Sequence, residues 1–431
     1  MVGAGVSMPR PANLPSGSQF LGVVFDLLTK TGPTFLDRQA LSKLRRKVQR
    51  DLRLEIFFET LAREISPHII FQVFKMFRAA EVNFTHLALV ALAPRIIVTT
   101  NQDLLIERAA AILKARPSIL HLHGRCDEMG TIITLISQYL GGLDKRLFNS
   151  FRRAVVGADV IVLGSSGRDR DVMPALVAAE PRSVTWILHK RSKIYPELER
   201  VKHVLGLRLK IVNTDTQAWL ESHLGDGPSQ RLQYIIRGLT PGAVNELPLS
   251  VRNAFRRIGI RQRNRALAKL LEHLGWYGEA RRIYLRLGRK GLQTGPRMLL
   301  DLGWVNGRVL GFGVAMNYYA RAREYRGASA WILARSLLLE ADTLRNSAKY
   351  VETLEKIRSL ELLLPELRRM AGCNKKRQKE YWLLRGWSQN AKAGILRIEG
   401  YPSKALDLYR SAEIAFSKAR DISGRIDVLT W

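Results

Sequence analysis

Ile96-Ile97-Val98-Thr99-Thr100-Asn101-Gln102-Asp103 and, further on, Leu120-His121-Leu122-His123-Gly124 carry the clearest pattern in this chain. Ile96-Ile97-Val98 is a short β-branched run, as expected of a strand buried on both faces. Leu104 to Ala115 has helical spacing, and Ile119 to Leu122 reads as a second strand. A strand–helix–strand step of this length brings both strand ends to one crevice of a parallel sheet. Asn101, Asp103 and His123 are therefore expected to converge on a ligand there. An N-cap role for Asn101 or a threonine explains one polar residue before the helix, but not a run of four. His121 and His123 share a strand face unless the strand ends between them. The glycine after His123 ranks it as the general-base candidate. A metal site is disfavoured, because only Cys126 and Asp127 lie near enough in sequence to add a ligand.

Working outward, the chain opens with Gly3-Ala4-Gly5-Val6-Ser7 inside a segment, 1–36, rich in Gly, Pro and Ser. Two glycines around a small residue permit a tight turn whose amides approach a phosphate closely. Helical periodicity covers Arg38 to Arg53, Leu54 to Ile65, Ile69 to Ala80 and His86 to Leu92, with Pro67 as a break. Beyond Gly124, Leu147 to Val155 is expected as helix and Asp159 to Leu163 as strand, ending in Gly164-Ser165-Ser166-Gly167-Arg168-Asp169-Arg170-Asp171. That turn offers amides and hydroxyls to a phosphate or ribose, with Asp171 as a helix cap in the bland reading. A helix from Val172 to Ala179, strands at Val184–Leu188 and Arg208–Val212, and a helix from Thr216 to Leu224 complete the alternation. Strands alternating with helices imply a parallel sheet covered on both faces.

The expected fold class is thus an α/β Rossmann-like parallel sheet followed by an all-α helical-repeat domain. Residues 1–225 form the first domain, 226–250 a linker marked by Gly-Asp-Gly-Pro, Thr-Pro-Gly and Leu-Pro, and 251–431 the second. Beyond Val251 only helix pairs are expected, with weak internal repetition. Gly275-Trp276 precedes Ala280 and Tyr284, and Gly400-Tyr401 precedes Ala405 and Tyr409. Gly311-Phe312, with Ala315 and Tyr319, is one residue shorter. A glycine at the connection, a small residue at the helix crossing and an aromatic in the next turn suit stacked hairpins. They resemble degenerate tetratricopeptide repeats.

Composition bounds the function. The chain has 431 residues, 46% hydrophobic and 25% charged, as in a folded protein of two or three domains. No apolar run is long enough to span a bilayer, and no signal peptide is evident. The 2 cysteines cannot build a disulfide framework or a four-cysteine zinc site, so a cytoplasmic location is expected. The net charge of +31 favours anionic ligands. Nucleic acid remains a candidate partner without a supporting motif.

Gly-Ala-Gly-Val-Ser, then Thr-Thr-Asn-x-Asp, then His-Leu-His-Gly, then a strand entering Gly-Ser-Ser-Gly-Arg-Asp resembles the sirtuin family. The nearest pattern is its bacterial sirtuin-like branch in defence proteins that hydrolyse NAD. Leu14-Pro15-Ser16-Gly17, Asn83 and His86, and Leu104 to Glu107 also look like that branch. The resemblance covers residues 1–225. It implies an NAD-binding domain in which Asn101 orders the ribose and the attacking water while His123 is the general base. Gly3, Ala4, Gly5 and Ser7 would contact phosphates, and Ser166 a phosphate or ribose oxygen. Thr99, Asp103 and Gly164 complete the cofactor-binding set. NAD is then the substrate, and no zinc is expected, because the deacylase zinc ribbon and its Asp-Phe-Arg sequence are missing.

The expected activity is NAD hydrolysis gated by the helical repeats, in anti-phage defence. A protein trigger on the repeats and a second copy of the chain are candidate partners. A non-catalytic NAD or ADP-ribose scaffold is the alternative, and an NAD-dependent deacylase a weaker one. Only Met1 and Val2 precede Gly3, where the family has a central strand. A truncated first strand is expected to leave its neighbours' backbone groups unpaired, at roughly 1–3 kcal/mol per buried group.

Overall fold

The structure is a computed structural model that describes residues 1–135, 138, 142–190, 192, 194–239, 248–292 and 295–419. The chain divides into two compact units, Met1–Gly32 with Val48–Ile258, and Pro33–Lys47 with the chain from Gly259 onward.

Among its described residues the first unit holds five parallel strands: β1 (Ile97–Thr99), β2 (Ile119–His121), β3 (Asp159–Leu163), β4 (Ser183–Leu188) and β5 (Leu209–Asn213). β1 pairs with β2, and β4 lies between β3 and β5. Met1–Gly3 joins the two groups. Val2 N donates to Val98 O at 2.8 Å and Thr100 N donates to Val2 O at 3.0 Å; on the other side Gly3 N donates to Leu163 O and Leu163 N to Met1 O, both at 2.9 Å. The spatial order is therefore β2-β1-(Met1–Gly3)-β3-β4-β5. The unpaired gap expected beside β1 is not there. β1 is itself only 3 residues long, so a three-residue segment suffices to cover its paired edge.

Alternation along the strands sorts side chains into two cores. Val2, Ile97, Leu163 and Ile187 pack with α5 (Phe84–Ala91), α6 (Leu105–Ile112) and the helices Thr216–Leu224 and Asp226–Arg237. Val98, Val160, Val162, Val184 and Trp186 pack on the opposite face with the helices Lys145–Val155, Val172–Ala178 and Pro196–Leu205. This is an α/β arrangement with helices on both faces, as the β-branched runs required.

Upstream of α5 lie α1 (Gly17–Lys30), α2 (Arg38–Asp51), α3 (Leu54–Glu64) and α4 (Pro67–Phe74). α1 falls in the segment read only as Gly/Pro/Ser-rich. Ser16 and Gln19 close a capping box at its start, and Phe20, Leu21, Val24, Phe25 and Leu28 are buried. That Ser-x-x-Gln spacing was the available signal. The segment expected as a linker also differs. Gly225, at φ +78°, turns the chain straight into the helix Asp226–Arg237, with Pro228 in its first turn, and Leu232 joins the first core. Glycine supplies the positive φ and proline is tolerated in a first turn, so the punctuation marks a helix junction. Residues 240–247, the rest of the expected linker, lie outside the described residues.

The second unit is helical throughout its described residues after Gly259. Ile260–His273 with Tyr277–Arg289, Pro296–Val309 with Phe312–Glu324, Ala330–Asn346 with Tyr350–Ala371, and Lys375–Ile398 with Pro402–Ala419 form successive hairpins. Gly275, Gly311 and Gly400 take φ of +75°, +90° and +85° at the connections. Ala280, Ala315, Ala405, Tyr284, Tyr319 and Tyr409 are buried behind them. The hairpin between them keeps the pattern with other residues: Ala348 at φ +57°, then buried Thr353 and Ile357 at the same offsets. Among the described residues no helix is long and apolar enough to cross a membrane.

Candidate functional site

Paired residues of adjacent parallel strands end together, and Thr99 pairs with His121. Asn101 and His123 therefore leave the sheet at the same carboxyl edge, each two residues past that pair. Both are buried, as are Ser7, Thr99, Asp103 and His86.

Asn101 is held at three points. Its N–H donates to Thr99 Oγ1 at 3.0 Å, its Nδ2 donates to Ser7 Oγ at 3.1 Å, and its carbonyl O lies 3.0 Å from His121 Nδ1. Ser7 Oγ in turn donates to Asp103 Oδ2 at 2.9 Å and lies 3.1 Å from His86 Nε2. Asp103 Oδ1 accepts from Leu105 N at 3.1 Å at the start of α6. Burial pushes the Asp103 carboxyl above the usual range, against the bonds from Leu105 and Ser7. Thr99, Ser7 and Asp103 are thus committed to one another and to Asn101. Asn101 Oδ1, by contrast, is buried with no hydrogen-bond partner.

His86 closes this cluster from α5. Asn83 N donates to His86 Nδ1 at 3.2 Å, and Asn83 Oδ1 accepts from His86 N at 3.2 Å, a capping box at the start of α5. With Nδ1 accepting, the ring proton sits on Nε2 and is donated to Ser7 Oγ. Ser7 Oγ then has two donors and one acceptor, which exhausts it. Burial holds the His86 imidazole down at about 3. Asn83 Nδ2 also donates to Val6 O at 2.8 Å and Pro9 O at 3.1 Å, tying the glycine turn to α5.

His123 Nε2 lies 3.0 Å from Asp171 Oδ2, both side chains buried. Asp171 occupies the N-cap position of the helix Val172–Ala178 but makes no cap bond with its side chain, which goes to His123 instead. Burial disfavours the His123 imidazolium, yet the bond and charge of Asp171, with the charges of Asp169 and Glu55, hold it above its ordinary value. Asp171 Oδ1 has no hydrogen-bond partner. His121 belongs to a separate pair: its Nε2 lies 2.7 Å from Glu107 Oε1. Burial opposes the charged form there too, and Glu107 wins, raising the imidazole.

The glycine loops meet each other. A Cβ on Gly3 or Gly5 would come within 2.9 and 2.8 Å of the Gly164 carbonyl oxygen, and one on Gly164, at φ +65°, within 2.6 Å of Val6 N. Gly5 N donates to Gly164 O at 2.8 Å, as Gly3 N does to Leu163 O. The amides of Gly3 and Gly5 are thus spent inside the protein, and their glycine identity follows from backbone close approach. That differs from the expected phosphate contacts through these two amides. Ala4 and Ser166 are exposed beside this junction. Ser165 O accepts from Trp186 Nε1 at 3.1 Å, which anchors the second turn to β4.

Of the residues expected to converge, Asn101 and Asp103 are joined through Ser7 Oγ, whereas His123 leaves the same sheet edge and pairs with Asp171, a partner not expected from the sequence. Glu107 was likewise not expected as the partner of His121. No local pattern signals a bond between residues 48 apart in the chain. Among the described residues no group of three or more His, Cys, Asp or Glu side chains is placed to hold a metal ion. Cys126 is buried, and burial pushes its thiol up to about 11. Compared with known proteins, the sequence matches no family model and no curated protein.

Proposed function

We propose that the first unit is a Rossmann-like domain that binds NAD and hydrolyses its nicotinamide–ribose bond. The observation that carries this reading is Asn101 Oδ1, a buried acceptor without a partner on a residue whose backbone N–H, backbone carbonyl and side-chain Nδ2 are all bonded. A buried polar atom left open in an otherwise satisfied cluster calls for a ligand or water. A ribose hydroxyl or an attacking water supplies the missing donor. The order β2-β1-(Met1–Gly3)-β3-β4-β5 supports the same reading, since it reverses at Met1–Gly3 as doubly wound sheets do at their ligand crevice.

In this mechanism the C–N bond to nicotinamide breaks as positive charge develops on the ribose. The oxygen of water forms the new bond, giving ADP-ribose, nicotinamide and a proton. Asn101 positions the water or the ribose. Neutral His123 takes the proton, and the Asp171 carboxylate stabilises the imidazolium so formed. The second unit is read as a tetratricopeptide-like sensor that gates the reaction, with a protein trigger or a second copy as partner and NAD depletion in anti-phage defence as the setting.

Nicotinamide release from NAD by the purified chain, alone and with candidate triggers, tests the reading. Asn101→Ala and His123→Ala are each expected to lower the rate about 100-fold or more. Unchanged rates in both would remove the assigned roles, and NAD binding without any release would leave a scaffold.

A further inference from the structure

The second unit carries a cleft of 620 Å³ between Phe35–Lys43 and the start of the helix Tyr277–Arg289. Both walls belong to that unit, and the cleft plays no part in the NAD reading. Its volume lies in the range of small-ligand sites. The Phe35 wall is pinned: Phe35 N donates to Asn264 Oδ1 at 2.7 Å, and Arg286 Nη1 donates to Phe35 O at 2.5 Å. The cleft is therefore formed in advance of any ligand.

Its chemistry is cationic and aromatic. Lys43, Arg282 and Arg286 line it with Phe35, Trp276 and Tyr277. Lys47 Nζ stands 5.3 Å from the Trp276 ring centroid and adds a further positive charge at the rim. Two carboxylates, Asp37 and Glu279, also line it, and Asp37 Oδ1 accepts from Ala40 N at 2.8 Å; the cations Lys43, Arg282 and Arg286 outnumber them. Trp276, at the N-cap of Tyr277–Arg289, provides no side-chain cap, so the positive end of that helix opens onto the same space. Arg282 and Lys43 are exposed and make no ion pair among the described residues.

We propose that this cleft binds a small organic anion joined to a flat ring, the chemistry of a nucleoside phosphate. The cations hold the anionic group, and Trp276 or Tyr277 covers the ring. Charge and ring must act together, because a phosphate alone leaves the aromatic wall unused and a nucleoside alone leaves the cations unused.

Calorimetric titration of the full chain with AMP, with adenosine and inorganic phosphate as separate probes, tests this. Saturable AMP binding that weakens with added salt is expected, with adenosine and phosphate each about tenfold weaker or worse. Arg282→Glu, at an exposed position, is expected to abolish that binding, and Arg282→Gln with Lys43→Gln to weaken it about tenfold. Absence of saturable AMP binding at millimolar concentration overturns the proposal. So does AMP binding that Arg282→Glu leaves unchanged, or phosphate binding as tightly as AMP.

Discussion

One part of the acid sensitivity of the first unit should come from a single side chain, His86. Its Nδ1 accepts from Asn83 N and its ring is fully buried, so the folded imidazole stays neutral down to about 3. The unfolded chain takes the proton near 6.5. Below that value the unfolded state binds more protons than the folded state, so stability falls as pH falls. Each pH unit between the two values is worth about 1.4 kcal/mol, which gives a loss of about 2 kcal/mol between pH 7 and pH 5. The loss reaches about 5 kcal/mol as pH approaches the folded value. His121 and His123 act in the opposite direction, because their raised imidazoles gain stabilising charge as pH falls. A difference measurement isolates His86. Urea unfolding of wild type and His86→Gln at pH 7 and pH 5, read by pulse proteolysis of first-unit fragments, should show the stability gap between the two shrinking by about 2 kcal/mol. Parallel losses in both proteins, or a His86 NMR titration near the ordinary imidazole value, would show that His86 is not the source of this pH dependence.

Further outcomes concern the site and the helical hairpins. As a general base, His123 must be neutral, so nicotinamide release should rise with pH through an apparent pKa above that of ordinary imidazole. Asp171→Asn should move that limb to lower pH and reduce the rate, and a limb that stays in place would separate Asp171 from His123 function. Glu107→Gln should loosen His121 from the Asn101 carbonyl and lower kcat several-fold, roughly the 1 kcal/mol of one hydrogen bond, with KM less affected. Equal changes in both constants would point to general loss of structure instead. In the second unit, Gly303→Ala would place a methyl 2.4 Å from the Tyr319 ring, which is fully buried. Such overpacking is expected to cost about 1–3 kcal/mol in thermal or urea unfolding of that unit, whereas an unchanged midpoint would show that the ring can move.

Sequence alone determined what depends on neighbours along the chain. Short apolar runs placed β1 to β5 to within a residue or two, because strands between two helical layers turn apolar side chains to both; β1 is buried along its whole length, while β5 has exposed Lys210 and Asn213. Helical spacing located α3, α5 and α6 in the same way, and the Gly275, Gly311 and Gly400 connections marked three hairpins. Where the local signal was written in other residues it was missed. Ala348, Thr353 and Ile357 carry a hairpin without glycine or tyrosine, and Ser16 with Gln19 starts α1 inside a segment that otherwise reads as loop.

Tertiary structure decided the rest. Ser7 and Asp103 are bonded across 96 residues, and His123 and Asp171 across 48. Both pairings exist because the sheet sets Met1–Gly3 between β1 and β3, so that turns far apart in sequence share one edge. Sheet order is a consequence of whole-chain packing, and no short pattern encodes it. The same packing showed that Gly3 and Gly5 face a protein carbonyl, and that in the buried Asn101 cluster it is Oδ1 of Asn101 that is left open.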